Sequence, residues 1–463
     1  MNNMTKTKNI INKFFVLIYI LSFYNVSFAD DSGNILLNNK RLDSSGGLEV
    51  GNLDFKVKAE KHDKLKVKLV FVGKNSRKLD DLLKVIKNNL EFSGQFDVQI
   101  CHSSSLLNKK EDIVKYFTPD CSLGIFLNAE DDKSFAWRLY DLEYAQMVKG
   151  EKYAVKGNDL RCWAHNLSDA IWPSLTGESG FFSTKIVYSK KVNKSKKRDC
   201  KHIYVADYNG QNEQLLVGDP TVVDVAPRWN NDPKNPLVFY SEHTNRNVRL
   251  MVVDMHKKRQ VASNFNGLNI LSTFSPDGKR FAYCASKGNG LCNVYFYDGK
   301  LKKITNSGNN IAPTFADNGK TLYFCSDACS KFPQICRYDL SKMDNSTYKP
   351  EFITKDGFYV ATVFNNKKNL LAYSKMVNGL MQIFVYNPVN KSHKQVSFGA
   401  GNKEECSWSP CGNYLLFSVE TNNKSRLAVQ NLLTGRMIFI TKPKDSCYYP
   451  FWSPVYESIP VVA

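Results

Sequence analysis

The chain of 463 residues is 43% hydrophobic, 23% charged and 13% aromatic, too apolar and too varied to be disordered along its length. At about 100 to 200 residues per domain it has room for two or three domains, or for one large repetitive domain beside a smaller one, and either can bury a sizeable core. Lys and Arg number 63 against 44 Asp and Glu, a formal charge of +19 that favours acidic partners, anionic surfaces or solubility and is silent on fold.

Residues 1–29 carry Lys6, Lys8 and Lys13 and no acid, then an apolar run over 14–23, then Ser27-Phe28-Ala29 before Asp30 and Asp31. A basic head, an apolar middle too short to span a bilayer comfortably, and small residues first and third before the cut are the order of a secretory signal peptide, cleaved after Ala29. An uncleaved anchor is the competing reading, against which stand the small residues and the two acids that follow. No later run of about 18 apolar residues makes another span. Loss of the three lysines lowers the formal charge from +19 to +16, and the mature protein is expected to be soluble in an exported compartment.

Residues 30–60 are polar, with Ser44-Ser45-Gly46-Gly47 in the middle, and read as a flexible arm whose most apolar part is Asn34, Ile35, Leu36 and Leu37. The rhythm changes over 61–177. Residues 65–72 form a buried-strand run, Leu79, Leu82, Leu83, Ile86 and Leu90 recur at helical spacing, and 96–101 and 122–127 read as further strands. A hairpin is expected from 135–148 and 152–155 across Lys149-Gly150. Leu160, Trp163, Ala164, Leu167, Ile171 and Leu175 then trace the apolar stripe of a helix, with Asn158 as its expected N-cap. The segment is a small α/β domain with a mixed sheet.

From about residue 220 one pattern recurs. Phe274-Ser275-Pro276-Asp277-Gly278 and Trp408-Ser409-Pro410-Cys411-Gly412 are its clearest copies, and Phe315-Ala316-Asp317-Asn318-Gly319 is a third. The anchoring aromatics Trp229, Phe274, Phe315, Phe364, Trp408 and Trp452 are spaced by 45, 41, 49, 44 and 44 residues, the period of propeller blades. In each unit a short strand ends at the aromatic, a tight turn follows, and an alternating aromatic and aliphatic strand leads to a third and a fourth. Four short strands cannot bury both faces alone, so neighbouring blades must stack.

The ends of the array complement each other. Residues 186–189, 202–207 and 214–217 look like the second, third and fourth strands of a blade, and 449–454 like the missing first. The expectation is an all-β six-bladed β-propeller over 181–463, closed by a blade shared between the two ends of the array. Such sharing removes the free sheet edges of an open array.

Twelve cysteines suit an oxidising compartment, and none forms a C-x-x-C pair, so disulfide staples are a better reading than zinc ribbons or thioredoxin chemistry. Cys284 and Cys292 flank a turn sequence and are placed to face each other across a hairpin. Cys325, Cys329 and Cys336 cluster in the same way, but the full connectivity cannot be assigned from sequence.

No catalytic spacing stands out. The sequence has no G-x-S-x-G elbow and no H-E-x-x-H, and its seven histidines are scattered. Gly319-Lys320-Thr321 ends like a phosphate loop, but Thr314 stands where the loop needs its first glycine and no helix follows. His165, one turn from Asp169 on the helix, reads as a packing residue because no nucleophile accompanies it. Lys190, Lys191, Lys194, Lys196, Lys197 and Arg198 form the most basic segment. It lies between two strands of one blade with no interleaved aromatics to stack on bases, so a solvated loop is the better reading and no nucleic-acid partner is expected.

The junction between the two regions carries Ala164-His165, Asp169, Ile171, Leu175-Thr176-Gly177, Gly180, Phe182, Thr184-Lys185-Ile186 and Tyr188, and it resembles the domain junction of the TolB family of the Tol-Pal system. Trp137-Arg138-Leu139-Tyr140-Asp141 and the sixfold S-P-D-G repeat resemble that family too, over about residues 65–456. The twelve cysteines, the long arm, the weak repeat at Phe364 and the short tail after Trp452 depart from it.

The resemblance implies a non-enzymatic periplasmic scaffold, a monomer with no cofactor and no metal, peripheral to the membrane through its partners. It implies binding of the lipoprotein Pal through the propeller and of a TolA-like inner-membrane protein through the N-terminal arm, in support of outer-membrane invagination and envelope integrity. Asn309-Asn310-Ile311 and Asn266-Gly267 resemble family loops near the Pal site. Loops from one blade's outer strand to the next inner strand form one rim; those containing Phe265, Asn266, Gly267, Asn309, Asn310, Ile311, Glu404, Glu405, Tyr448 and Tyr449 are the expected partner contacts, and structural turns are the competing reading. Asn34, Ile35, Leu36 and Leu37 are the expected strand-adding segment of the arm. Two other classes stay open from the residues alone: an exported propeller enzyme acting on peptides or sugars, and a basic binding module for carbohydrate or anionic polymer, whose affinity for a polyanion would collapse with salt.

Overall fold

The structure is a computed structural model that describes residues 64–74, 76–104, 109–131, 134–154, 159–192, 200–287 and 290–457. The signal peptide expected over 1–29, the cut after Ala29, the arm with Asn34, Ile35, Leu36 and Leu37, and the basic residues Lys194, Lys196, Lys197 and Arg198 lie outside them.

The first sheet has the order β2-β1-β3-β4-β5, built from β1 (Leu65–Val72), β2 (Phe96–Ser103), β3 (Leu123–Asp131), β4 (Ser134–Asp141) and β5 (Gln146–Ala154). β2 and β3 run parallel to β1, and the last two strands are antiparallel. Three helices, α1 (Arg77–Phe92), α2 (Lys110–Val114) and α3 (Leu160–Thr176), cover it. Val67, Leu69 and Phe71 pack with α1 and α3, whereas Val70 and Val72 pack with Ile113 of α2. Burial on both faces is why β1 reads as a continuous apolar run rather than an alternating one.

Two local expectations are corrected. The N-cap of α3 is Asp159, not Asn158: its Oδ1 accepts the backbone N–H of Cys162 at 2.6 Å. The β4–β5 turn falls at 142–145 rather than at Lys149-Gly150, because Asp141 Oδ1 accepts the N–H groups of Glu143 (3.0 Å) and Tyr144 (3.4 Å) and starts the turn there. Gly150 is a strand residue opposite Arg138.

Six four-stranded antiparallel sheets follow. The shared blade takes β6 (Lys185–Val192), β7 (Cys200–Asp207) and β8 (Gln214–Val217). Blade 1 is β9 (Val223–Trp229), β10 (Leu237–His243), β11 (Val248–Asp254) and β12 (Arg259–Ser263). Blade 2 is β13 (Asn269–Phe274), β14 (Phe281–Ala285), β15 (Asn293–Asp298) and β16 (Lys300–Lys303). Blade 3 is β17 (Asn310–Ala316), β18 (Thr321–Ser326), β19 (Gln334–Asp339) and β20 (Glu351–Phe352). Blade 4 is β21 (Tyr359–Asn365), β22 (Leu370–Val377), β23 (Leu380–Asn387) and β24 (Ser392–Gln395), complete despite its weak repeat. Blade 5 is β25 (Asn402–Trp408), β26 (Tyr414–Thr421), β27 (Lys424–Asn431) and β28 (Met437–Phe439).

Last comes β29 (Cys447–Trp452), which pairs antiparallel with β6 and completes the shared blade. Ser453 N donates to Lys185 O at 2.8 Å, and Trp452 Nε1 donates to Thr184 Oγ1 at 2.8 Å. Each first strand packs on the first strand of the next blade, around to β29 on β9, so the ring closes. The repeat turn follows its chemistry. Ser275 Oγ accepts the N–H of Arg280 at 3.0 Å, and Gly278 has φ +69 with its missing Cβ 2.8 Å from Asp232 N, where no side chain fits.

One apolar cluster joins the two regions: Leu90, Trp172, Phe181, Tyr208, Tyr414 and Trp452 all belong to it. A polar network lies within it. Asp207 takes Arg161 and Lys185 as ion-pair partners and lies 3.5 Å from His165 Nε2, while Tyr208 Oη donates to Asn89 Oδ1 at 2.9 Å. His165 is therefore a buried network residue. Asp169, its neighbour one turn on, accepts the N–H groups of Phe182 (2.7 Å) and Ser183 (3.0 Å) and fixes the entry into the propeller.

Candidate functional site on the propeller rim and channel

The first strands of the six blades share a bulge at one position. Ala226, Leu271, Ala312, Ala361, Glu405 and Tyr449 all have positive φ, and at each the pairing with the second strand slips. Left-handed backbone at non-glycine residues costs about 1–2 kcal/mol each. Bonds between blades offset it: Thr362 Oγ1 donates to Ala312 O (2.5 Å), Phe364 N to Thr314 Oγ1 (3.0 Å) and Trp452 N to Ser407 Oγ (2.9 Å).

Two residues before the bulge, the side chain stitches the incoming rim loop. Asn269 Nδ2 donates to Val248 O (2.9 Å) and Phe265 O (2.8 Å), Asn310 Nδ2 to Ser307 O (3.0 Å) and Cys292 O (3.2 Å), and Lys403 Nζ to the carbonyls of Gly399, Ala400 and Gly401 at 2.8–3.1 Å. Asp224 holds the same place in blade 1, fully buried, with neither carboxyl oxygen hydrogen-bonded. Burial, then Glu242, pushes its pKa up to about 8, the protonated form being the only one that can donate.

The partly open residues of the first strands divide the channel wall in two. Leu271, Ile311, Ala312, Val360 and Ala361 make an aliphatic side on blades 2 to 4. Glu404, Glu405, Tyr448, Tyr449, Phe451 and Arg228 make a charged, aromatic side. Glu405 accepts Tyr449 N at 2.5 Å and Ser418 Oγ at 3.1 Å. Burial raises it to about 6, with Tyr449 N–H, Lys201, Ser418 and Arg228 pulling the other way. Burial and the charges of Glu405 and Glu420 raise Glu404 to about 8. Lys201 Nζ lies 3.9 Å from the centre of the Tyr448 ring, and Arg228 Cζ 4.7 Å from that of Phe451.

The expected rim residues thus fall into two groups. Phe265, Asn266 and Gly267 lie beside Asn309, Asn310 and Ile311 around the β14–β15 hairpin: Lys287 Nζ sits 3.3 Å over the Phe265 ring, and Cys292 N donates to Asn309 Oδ1 at 3.2 Å. Asn266 is exposed, whereas Asn310 is buried and occupied with its own loop. Asn310, Ile311, Glu404, Glu405, Tyr448 and Tyr449 were expected in loops but stand inside first strands, the first two at the start of β17 and the last four in β25 and β29, in the channel wall below the rim. Sequence reasoning missed Arg228 and Lys201, which meet the residues of β25 and β29. Aligning the first strands on their aromatics would have exposed Arg228, one residue before Trp229, as the odd member of its column. Lys201 comes from β7 and left no such signal.

Lys190 of the basic segment is paired with Glu213 (2.8 Å) and Asp445 (3.2 Å). Gly319-Lys320-Thr321 spans the β17–β18 turn, and Thr321 already opens β18. Among the described residues no three or more His, Cys, Asp or Glu are grouped to hold a metal ion, and no helix is long and apolar enough to cross a membrane.

A closed six-bladed β-propeller whose shared blade packs on a small α/β domain, with a stitched rim over a two-sided channel, is the class of protein that these features define. Residues 172–456 match the TolB beta propeller domain, and the chain belongs to that family. The Tol-Pal system protein TolB of Francisella tularensis subsp. holarctica is 28% identical over 336 residues, 68% of this chain and 73% of the relative. That of Rickettsia africae is 28% identical over 220 residues, 45% of this chain and 48% of the relative. The crystal structure of TolB from Acinetobacter baumannii has the same fold, with a TM-score of 0.70 at 22% identity over 85% of this chain and 97% of that one.

Proposed function

We propose that this protein is a periplasmic, non-enzymatic scaffold of a Tol-Pal system. Its propeller binds the lipoprotein Pal, with Phe265, Asn266, Gly267, Asn309, Asn310 and Ile311 at the rim and Glu404, Glu405, Tyr448 and Tyr449 in the channel wall below it. The arm bearing Asn34, Ile35, Leu36 and Leu37 binds a TolA-like inner-membrane protein. Together these contacts support outer-membrane invagination at division and keep the envelope intact. Residues 1–29 direct export and are removed after Ala29, leaving a monomer that meets the membrane only through its partners.

The observation that carries this reading is the family match across the whole propeller. A rigid ring supports it physically, because loops held by a closed scaffold present a preformed surface at little ordering cost. Titration of soluble Pal from the same organism onto the chain from Asp30 onward tests it. Saturable binding, weakened by Asn266→Ala and indifferent to charge reversal at Lys190 and Lys191, is expected. A folded protein that does not bind Pal at all overturns the reading.

A further inference from the structure

Of the twelve cysteines, Cys325 and Cys336 are kept apart by the sheet geometry. Cys325 stands opposite Ile335 and Cys336 opposite Phe324, so the two thiols point to opposite faces of blade 3 and cannot be bridged without moving backbone. Cys200 donates to Pro220 O (3.1 Å), Cys406 to Ala361 O (3.9 Å), and Cys411 lies 3.2 Å from Ser409 Oγ.

Cys284 and Cys292 differ. Cys284 on β14 stands opposite Val294 of β15, and Cys292 is two residues before Val294, so both side chains leave the same face. Both are fully buried in one apolar cluster with Ala282, Val294 and Phe296, and Cys292 is near enough to add to the rise that burial imposes on the Cys284 thiol.

This hairpin is also the common support of two rim loops. Ser286 N donates to Leu268 O at 3.0 Å, and Leu268 N to Ser286 Oγ at 2.9 Å. On the other side Asn310 N donates to Cys292 O at 2.7 Å, and Cys292 N to Asn309 Oδ1 at 3.2 Å. Gly267 passes so close that a Cβ there would lie 2.4 Å from Ser286 O. Whatever fixes the base of the hairpin fixes the spacing between the two loops.

We propose that Cys284 and Cys292 close a disulfide in the mature protein, and that this bond sets the geometry of the rim at Phe265–Gly267 and Asn309–Asn310. The second half rests on the rim reading above. The chemistry is thiol–disulfide exchange: one cysteine thiolate attacks a small disulfide such as glutathione disulfide and expels one thiolate, the other cysteine attacks the protein sulfur of the resulting mixed disulfide and expels the second, and the oxidant leaves as two thiols carrying both electrons and both protons. Burial holds the Cys284 thiol well above its ordinary range, so the exchange is slow once the chain has folded and belongs to the folding step.

The test is refolding of the chain from Asp30 onward in a glutathione redox buffer, alkylation of remaining thiols, and peptide mapping without reduction. The expected product is a Cys284–Cys292 link, lighter by two hydrogens, with Cys325 and Cys336 not joined to each other. Alkylated Cys284 and Cys292, or either joined to another cysteine such as Cys325, overturns the proposal. Amide exchange of the oxidised chain, the reduced chain and a Cys284→Ala, Cys292→Ala double variant reads the second half. Faster exchange at 265–268 and 309–311 in the latter two is expected, and equal exchange in all three overturns the link to the rim. A chain that forms the bond and tightens the rim yet ignores Pal removes the functional reading and leaves this one standing.

Discussion

Glu405 on β25 accepts the backbone N–H of Tyr449 on β29 at 2.5 Å, so the carboxyl group of one bulge residue holds the bulge of the next blade. Glu405→Ala strands that N–H and is expected to cost about 1–3 kcal/mol, with Glu405→Gln costing less because it keeps an acceptor. Urea unfolding of the two variants beside the parent checks the order.

The channel acids give stability a pH slope. Glu404 and Glu405 are raised from an ordinary value of 4.5 to about 8 and about 6. A carboxyl group raised on folding contributes stability that is fully present below its unfolded value and is lost as pH rises through the folded one. Their contribution therefore falls between pH 4.5 and 8. Glu404→Gln flattens that part of the curve, read as melting temperature against pH.

Asp224 acts in the same direction from a fully buried position. Asn269 and Asn310 show what its position requires, a donor to the loop carbonyls. Asp224→Asn supplies one at every pH and removes an ionisable group raised from 3.8 to about 8. The variant is expected to match the parent near pH 5 and to exceed it by about 1–3 kcal/mol above pH 8. A variant less stable than the parent at both ends contradicts the assignment.

Asp207 has the opposite sign. Burial alone would raise it, but His165, Lys185 and their hydrogen bonds outweigh burial and hold its carboxyl well below the usual range. Its contribution is present above its ordinary value of 3.8 and is lost as pH falls through the depressed one. Asp207→Ala leaves Arg161 and Lys185 beside His165 without their anion and is expected to cost about 3–5 kcal/mol at neutral pH. Calorimetry that finds one cooperative transition in the parent and two in the variant would show that this network couples the α/β region to the ring.

The junction offers a steric test. A Cβ on Gly180 would fall 2.5 Å from the Cα and Oδ1 of Asp169, the residue that holds the N–H groups of Phe182 and Ser183. Gly180→Ala is expected to cost about 1–3 kcal/mol through that clash, and Asp169→Ala a similar amount through two lost acceptors. A double variant well short of additive would show that both act on one contact.

The blades were legible because each repeats an aromatic at the end of its first strand, and blades 2, 3 and 5 add a glycine that the turn requires, at Gly278, Gly319 and Gly412. The shared blade was legible because 449–454 and 186–217 are complementary fragments of that pattern. The bulges left no mark: alanine, leucine, glutamate and tyrosine occupy left-handed positions that contacts between blades impose, where local preference would have asked for glycine. That hidden register is why Glu404, Glu405, Tyr448 and Tyr449 were placed on the rim and belong to the channel. The β4–β5 turn was misplaced for a related reason, since Gly150 drew it toward the strand interior while Asp141 did the turning.

Asn266 and Asn310 separate binding from support. Asn266 is exposed, so Asn266→Ala should leave stability within about 0.5 kcal/mol and weaken Pal binding. Asn310 holds three backbone carbonyls, of Cys292, Ser307 and Gly308, so Asn310→Ala should cost about 1–3 kcal/mol whether or not a partner is present.

Amide hydrogen exchange of the chain from Asp30 onward, with and without saturating Pal, tests the central claim most directly. Added protection at 265–268, 309–311 and the first strands of blade 5 and the shared blade, with none at β5 or Lys190, is the predicted result. Protection confined to the α/β region, with the rim unchanged, would contradict it.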